Sequence, residues 1–426
     1  MRFRFAALVL LFIAFFALAT QAADAGRSAR ATPAATDHVT VPATIDHNRI
    51  VIEVDVLLPD GSAQHVRAWV DNGNPEFTMS RRLATALGAT VTCGQQECSS
   101  PPPAEIRVGG LAISVAGVKE AKIPLKAPSA ASVLAPGIKA EINIPSTVLR
   151  HYDVLIDYPG RKFSIGPTGS IHFLGSSSKV QINADNGLIQ VPSKMENKKY
   201  NLSLDLGSSI SFLDENLYDA LSNAHQDWPH MTGAVGSANL WGQADEAKWK
   251  LMRVDRVQYG PLFLTDVPVV DFPKEKMEDF NKRSGVPTAG LLGADVFQNY
   301  RIGLDYAHSM VYFDIGRLFN FPEFDLVGLV LRPEDDGRYT VLGIADYEGK
   351  PSLPTGPDGV QVGDHVAEIE GVPVQGRSMG QVWAMLMGNP GQERKLTIER
   401  GGKQFVVSAK VQHFLAVQED TGSKKR

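Results

Sequence analysis

Two stretches of this chain carry nearly the same pattern. Residues 151–163 read His151-Tyr-Asp-Val-Leu-Ile-Asp157-Tyr-Pro-Gly-Arg-Lys-Phe163. Residues 299–313 read Asn299-Tyr-Arg-Ile-Gly-Leu-Asp305-Tyr-Ala-His-Ser-Met-Val-Tyr-Phe313. Each predicts a strand, a turn and a returning strand. An earlier pair repeats as well. Trp69-Val-Asp71-Asn-Gly73 and Leu204-Asp205-Leu-Gly207 each bring one aspartate to a glycine at the end of an apolar, strand-like run. A repeat this long, with its landmarks in the same order, predicts two similar β-rich halves.

The spacing locates where the halves differ. Asp71 and Asp205 are 134 positions apart, and Asp157 and Asp305 are 148 apart. Gly109 and Gly260, which end similar strands, are 151 apart, so the surplus of the second half falls soon after Asp205. That places it in residues 227–251, which contain Gly233-Ala-Val-Gly236 and Trp241-Gly242. A glycine-bearing insertion beside a cleft reads as a moving flap. The matching part of the first half is short and holds the chain's only cysteines, Cys93 and Cys98. In an exported protein a pair this close reads as a local disulfide. A two-ligand metal site is the alternative, with no histidine nearby to complete it.

Length suggests about two to three domains. Hydrophobic residues make up 43% and charged residues 21%, which excludes a disordered chain. A net charge of −5 gives no reason to expect nucleic acid or an anionic membrane as partner. The first 22 residues read as a signal peptide: Arg2 and Arg4, an apolar run from Phe5 to Ala19, then Thr20-Gln-Ala22 at the cleavage point. The run of 15 residues is short for a membrane span, and no later stretch qualifies, so no span is expected after signal removal. This predicts export, to a bacterial periplasm or by secretion from another cell type. Residues 23–46, rich in Ala and Thr, read as a flexible leader, and the charged residues 416–426 as a tail.

Two carboxylates that face each other share one proton, because both cannot ionise at close range. One then serves as base toward a water while the other donates a hydrogen bond to the attacked carbonyl. Asp71 and Asp205 are the candidates, with Asn72, Gly73, Gly207 and Ser208 as supporting residues of their loops. Each glycine is expected to permit the tight turn that exposes the carboxyl group. Asp157 and Asp305 read as structural, and the ten histidines show no metal-ligand spacing, so no metal or other cofactor is expected.

With these residues in view, the chain resembles the aspartic peptidases, nearest the retropepsin-like bacterial group. Asp205-Leu-Gly207-Ser208-Ser209 resembles the Asp-Thr-Gly-Ser/Ala motif of that family, and Gly290-Leu-Leu-Gly293 its apolar-apolar-glycine segment. Residues 324–415 resemble a PDZ domain through Gly328-Leu-Val-Leu331, Val362-Gly-Asp364 and Gly371-Val-Pro-Val374. The resemblance implies a mostly β protein. Two tandem acid-protease-like β-barrel lobes, residues 47–168 and 169–320, would precede the PDZ-like domain. It implies an endopeptidase using Asp71, Asp205 and a water on a peptide or protein substrate. It also implies that Gly328, Leu329, Val330 and Leu331 take the C-terminus of a peptide ligand, with the helix from Ser378 as the other wall. The opposing expectation is a groove closed by packing on the two lobes.

The chain departs from the pattern at three places. Asn72 and Leu206 stand where the family has a hydroxyl residue bonding across the two loops, and Pro145 stands where the repeat predicts a counterpart of Gly293. A catalytically inactive peptide-binding protein is therefore the alternative. A further arrangement would pair the second lobes of two chains and leave the first lobe as scaffold.

Overall fold

The computed structural model describes residues 38–94, 97–124, 139–317 and 324–416. The expected signal peptide, most of the leader and nearly all of the tail lie outside the described residues. The described chain is mostly β, as predicted. No helix among the described residues is long and apolar enough to cross a membrane.

The repeated segments pair with each other. Asp153–Asp157 runs antiparallel to Tyr300–Asp305, with Asp153 opposite Asp305, Leu155 opposite Gly303 and Asp157 opposite Arg301. Leu155 and Gly303 are separated by the repeat's own offset of 148, so the strand meets its counterpart about a local two-fold point. Lys162–Gly166 and Met310–Ile315 extend the sheet on either side, followed by Val39–Pro42 and Ser176–Lys179 at the two edges. Val39–Pro42 corrects the expected leader: Val39 pairs with Ile165 and Val41 with Phe163. The run Val-Thr-Val-Pro alternates for only four residues, and its partner lies some 120 positions away, so composition alone hides it.

Two further sheets carry the aspartates. In the first half Ala63–Asp71 lies between Arg49–Leu57 and Ile142–Pro145, and pairs with the latter in parallel. In the second half Lys198–Leu204 lies between Ile189–Met195 and Gly290–Leu292, again parallel to the latter. Ile189–Met195 also pairs with Lys250–Tyr259, which closes this second sheet on itself. Alternating apolar residues fill the interiors; Val54, Val56, Leu202, Leu204 and Val257 are all buried. Two of the helices that follow strands begin at a side-chain cap. Ser80 caps Arg81–Ala86, and Asp214 caps Glu215–Ala224 by accepting from the amides of Asn216 and Leu217. Helix Lys274–Ser284, closed by Gly285 at φ 68°, is an element the sequence reading did not anticipate.

Residues 324–416 form a sheet in the order Leu329–Pro333, Tyr339–Ile344, His365–Ile369, Glu393–Arg400, Lys403–Lys410, with helix Met379–Leu386 opened by a Ser378/Gln381 capping box. Their core is continuous with that of the second half: Ile210, Phe212, Val235 and Trp249 share one cluster with Val330, Leu331, Val382 and Trp383. The expected flap is the reason. Ala234, Val235, Gly236, Ser237 and Ala238 are fully buried, so the middle of the insertion is internal in this structure rather than a free loop. Cys93 and Cys98 are bonded to each other across the adjacent strands Thr92–Cys93 and Glu97–Ser100.

Candidate active site

Asp71 is the last residue of strand Ala63–Asp71, and Asp205 follows strand Lys198–Leu204. In both cases a parallel neighbour steadies the strand end. Asp71 stands opposite Pro145, and the Asp205 amide donates to Leu292 O at 3.0 Å. Pro145 therefore occupies the place the repeat predicts for it, beside its aspartate.

The two loops interlock. A methyl group at Gly73 would lie 2.0 Å from Cγ of Asp205, and one at Gly207 would lie 2.1 Å from Oδ1 of Asp71. Each aspartate is thus seated on the glycine of the opposite loop. This revises the reason for the glycines. Neither has a left-handed φ, so what they supply is room for the facing carboxyl group, not an unusual turn. The interlocking occurs within one chain and needs no second copy.

Asn72 ties the loops together. Its Nδ2 donates to Leu204 O at 2.8 Å, and its Oδ1 accepts from the Leu206 amide at 2.8 Å. One fully buried amide side chain therefore bridges both peptide groups that flank Asp205. Leu206 makes no reciprocal polar link; it is wholly buried in the main core. Oδ1 of Asp205 accepts from the amides of Gly207 and Ser208, both at 3.0 Å, and Ser208 Oγ donates to Ile210 O. The Asp71 carboxyl is met by the side chains of Asn74 and Asn143.

Burial pushes both carboxyl groups above the usual carboxylate range. Asp71 is pushed further, because the charge of Asp205 adds to its burial. The loop amides and Arg49 oppose the rise at Asp205. Such a pair holds one proton between its members over a wide pH range. The counter-charge is a residue that sequence reasoning missed. Arg49 is 1% exposed, donates from Nη2 to Ser209 Oγ at 3.2 Å, and lies 5.4 Å from the Trp69 ring centre. Burial lowers its pKa to about 10, and the carboxylates of Asp71 and Asp205 resist that fall. Nothing in Arg49-Ile-Val-Ile, the start of an apolar strand, marks it as a site residue.

The carboxyl groups open on a cavity of about 240 Å³ walled by Trp69, Phe212, Leu240, Trp241, Phe280 and Arg283, among others. Of the three tryptophans near the insertion, Trp241 faces this cavity. Trp249 packs on Phe212, and Trp228 stacks on His225. Among the described residues no group of three or more His, Cys, Asp or Glu is placed to hold a metal. The donor set at the dyad suits proton transfer to and from a water and a carbonyl, with aromatic and aliphatic walls for side chains.

The other predicted binding residues lie elsewhere. Leu329, Val330 and Leu331 form the edge strand of the C-terminal sheet and are buried. The Leu329 amide donates to Val327 O, and the Leu331 amide to Asn239 Oδ1 at 2.8 Å. Gly328 packs against Ser352 and Phe414. The amides expected to hold a ligand carboxylate at Leu329 and Leu331 are therefore bonded within the chain.

No family model matches the chain, and no curated protein matches it. Among solved structures, an aspartic proteinase from Irpex lacteus is similar at 10% identity and a TM-score of 0.35. The match covers 66% of this chain and 97% of that one.

Proposed function

We propose that this protein is an aspartic-type endopeptidase that cleaves extended peptides with a water held between Asp71 and Asp205. The observation that supports it best is the reciprocal seating of each aspartate on the other loop's glycine. That arrangement brings two buried carboxyl groups into one cavity, which a pair of unrelated turns has no reason to do. Asp71, pushed further toward its protonated form, donates a hydrogen bond to the substrate carbonyl. Asp205, ionised and held by two loop amides, takes a proton from the water as its oxygen attacks. The tetrahedral intermediate collapses as the leaving nitrogen receives that proton. No residue is acylated. In this reading the two β-rich halves act as acid-protease-like lobes, residues 324–415 as a PDZ-like domain, and the N-terminal segment as an export signal.

A second reading, a peptide-binding protein that does not cut, draws support from the small, roofed cavity and from Arg49, a fixed cation beside the dyad. Separate Asp71→Asn and Asp205→Asn variants, assayed on a peptide library from acid to neutral pH, distinguish the two. Loss of cleavage in both is expected. Cleavage surviving in either variant would remove the internal dyad. Binding without cleavage by the unaltered protein would establish the second reading.

A further inference from the structure

Strand Leu329–Pro333 is the outer strand of its sheet, with Tyr339–Ile344 on its inner side. The free side of such a strand, facing a helix across a groove, is where an extended peptide adds as one more strand. Here the free side is taken. Asn239 Nδ2 donates to Leu331 O at 2.9 Å, while its Oδ1 accepts from Leu331 N at 2.8 Å. A side-chain amide offers the same donor and acceptor as a peptide group, so Asn239 replaces one residue of an added strand. Its remaining N–H donates to Glu246 Oε2 at 2.7 Å. Glu246 is wholly buried and also accepts from the amides of Leu240 and Trp241, which fixes the shape of the segment.

The opposite wall is closed too. Trp383 of helix Met379–Leu386 lies on Gly236, where a methyl group would come within 2.5 Å of its Nε1. The far end of the same segment reaches the dyad. Ser237 O accepts from Ser209 Oγ at 2.7 Å, and that hydroxyl accepts from Arg49. Leu240 and Trp241 wall the cavity that holds Asp71 and Asp205.

We propose that residues 236–242 are the resident ligand of the groove between Leu329–Pro333 and helix Met379–Leu386, and that Asn239, through this docking, positions the ceiling of the aspartate cleft. The C-terminal region then works as a clamp on the site and not as a receptor for outside peptides. Displacing the segment would cost far more than the two Asn239 bonds, because Val235, Ala238 and Leu240 share a core with the groove's own walls. The ceiling role rests on the peptidase reading; the occupied groove does not.

Hydrogen exchange on the full chain tests the docking. Asn239→Ala is expected to speed exchange at residues 236–242 and at Leu331 by about tenfold or more, with Asp153–Asp157 and Tyr300–Asp305 unchanged. Gly343→Ala provides an independent wedge, since its methyl would lie 2.6 Å from Cβ of Ala247 on the insertion, and the same local loosening is expected. Octapeptides with free C-termini are expected to leave exchange at Leu331 of the unaltered protein unchanged, whatever they do at the aspartate cleft. Unchanged exchange in both variants, or peptide binding that protects Leu331 in the unaltered protein, overturns the proposal. For the ceiling, Asn239→Ala is expected to raise KM several-fold with kcat within about twofold. Faster exchange with KM unmoved removes the positioning role while the docking stands. Absence of any cleavage by the unaltered protein counts against the peptidase reading alone.

Discussion

The loop of Asp71 and the loop of Asp205 have the same backbone plan and different supports. The Asp205 carboxylate is held by two amides of its own loop, at Gly207 and Ser208. The Asp71 carboxyl is favoured by side chains, Asn74 of its own loop and Asn143 of the neighbouring strand Ile142–Pro145, with the Arg49 cation close by. The residue after each aspartate has diverged as well. Asn72 crosses to the facing loop and bonds both peptide groups around Asp205, whereas Leu206 turns into the core. A symmetric plan therefore tolerates asymmetric chemistry. One amide with a donor and an acceptor bonds both peptide groups around Asp205, and this frees the second position for an apolar side chain.

The contact common to both loops is the one whose loss matters most. Gly73→Ala and Gly207→Ala each drive a methyl into the facing carboxyl group at close to 2 Å. Both are expected to lower kcat/KM about as much as removing an aspartate, by roughly a thousandfold or more. A variant of either kind with near-normal turnover would break the interlocked geometry.

Arg49 sharpens the electrostatic side of the comparison. Its charge opposes the rise of both carboxyl pKa values, so Arg49→Met moves them higher. The whole pH profile of kcat/KM is then expected to shift toward alkaline pH, because the ionised member appears later and the shared proton leaves later. Arg49→Lys keeps the charge and is expected to hold the profile near its original place. The other charged groups that bear on Arg49 are Asp46 and Glu246, with His47 beside it, and both variants retain them.

Asn72→Ala leaves the Leu204 carbonyl and the Leu206 amide buried without partners. Thermal or chemical unfolding should show a loss of about 2–4 kcal/mol. The pH dependence of stability carries a definite sign. Asp71 has its folded pKa raised above the unfolded value, so its contribution is fully present below the ordinary carboxylate pKa and is lost as pH rises through the raised one. Asp71→Asn is therefore expected to flatten the decline in stability between acid and neutral pH by about 1 kcal/mol or more. Unfolding curves of the two proteins at several pH values check this. The smallest effect is expected at Ser208→Ala, which removes the bond to Ile210 O and should cost about 1 kcal/mol.

Much of this was legible in the chain itself. The repeat of Asp157 in Asp305 locates two matching strands, while their pairing, with Leu155 opposite Gly303, came from the fold. Asp71 and Asp205 stood out because each ends an apolar run at a glycine. Helix Met379–Leu386 begins after Ser378, where the resemblance places its start. What stayed hidden depends on partners remote in sequence. Val39–Pro42 is too short to show a pattern until Lys162–Gly166 lies beside it. The insertion carries glycines that suit a flap, yet its apolar residues are buried against the C-terminal region.

The sequence by itself determined that the chain is mostly β, that its Asp157 and Asp305 stretches repeat, and that two apolar runs each bring an aspartate to a turn, because strand period and repeat spacing are local properties. Only the tertiary structure decided what surrounds those aspartates. Burial, the meeting of Gly73 with Asp205 and of Gly207 with Asp71, the buried charge of Arg49 and the docking of Asn239 on Leu331 all join residues distant in the chain. Desolvation and close packing act on whatever side chains the fold brings together, and they leave no mark in the order of residues along it.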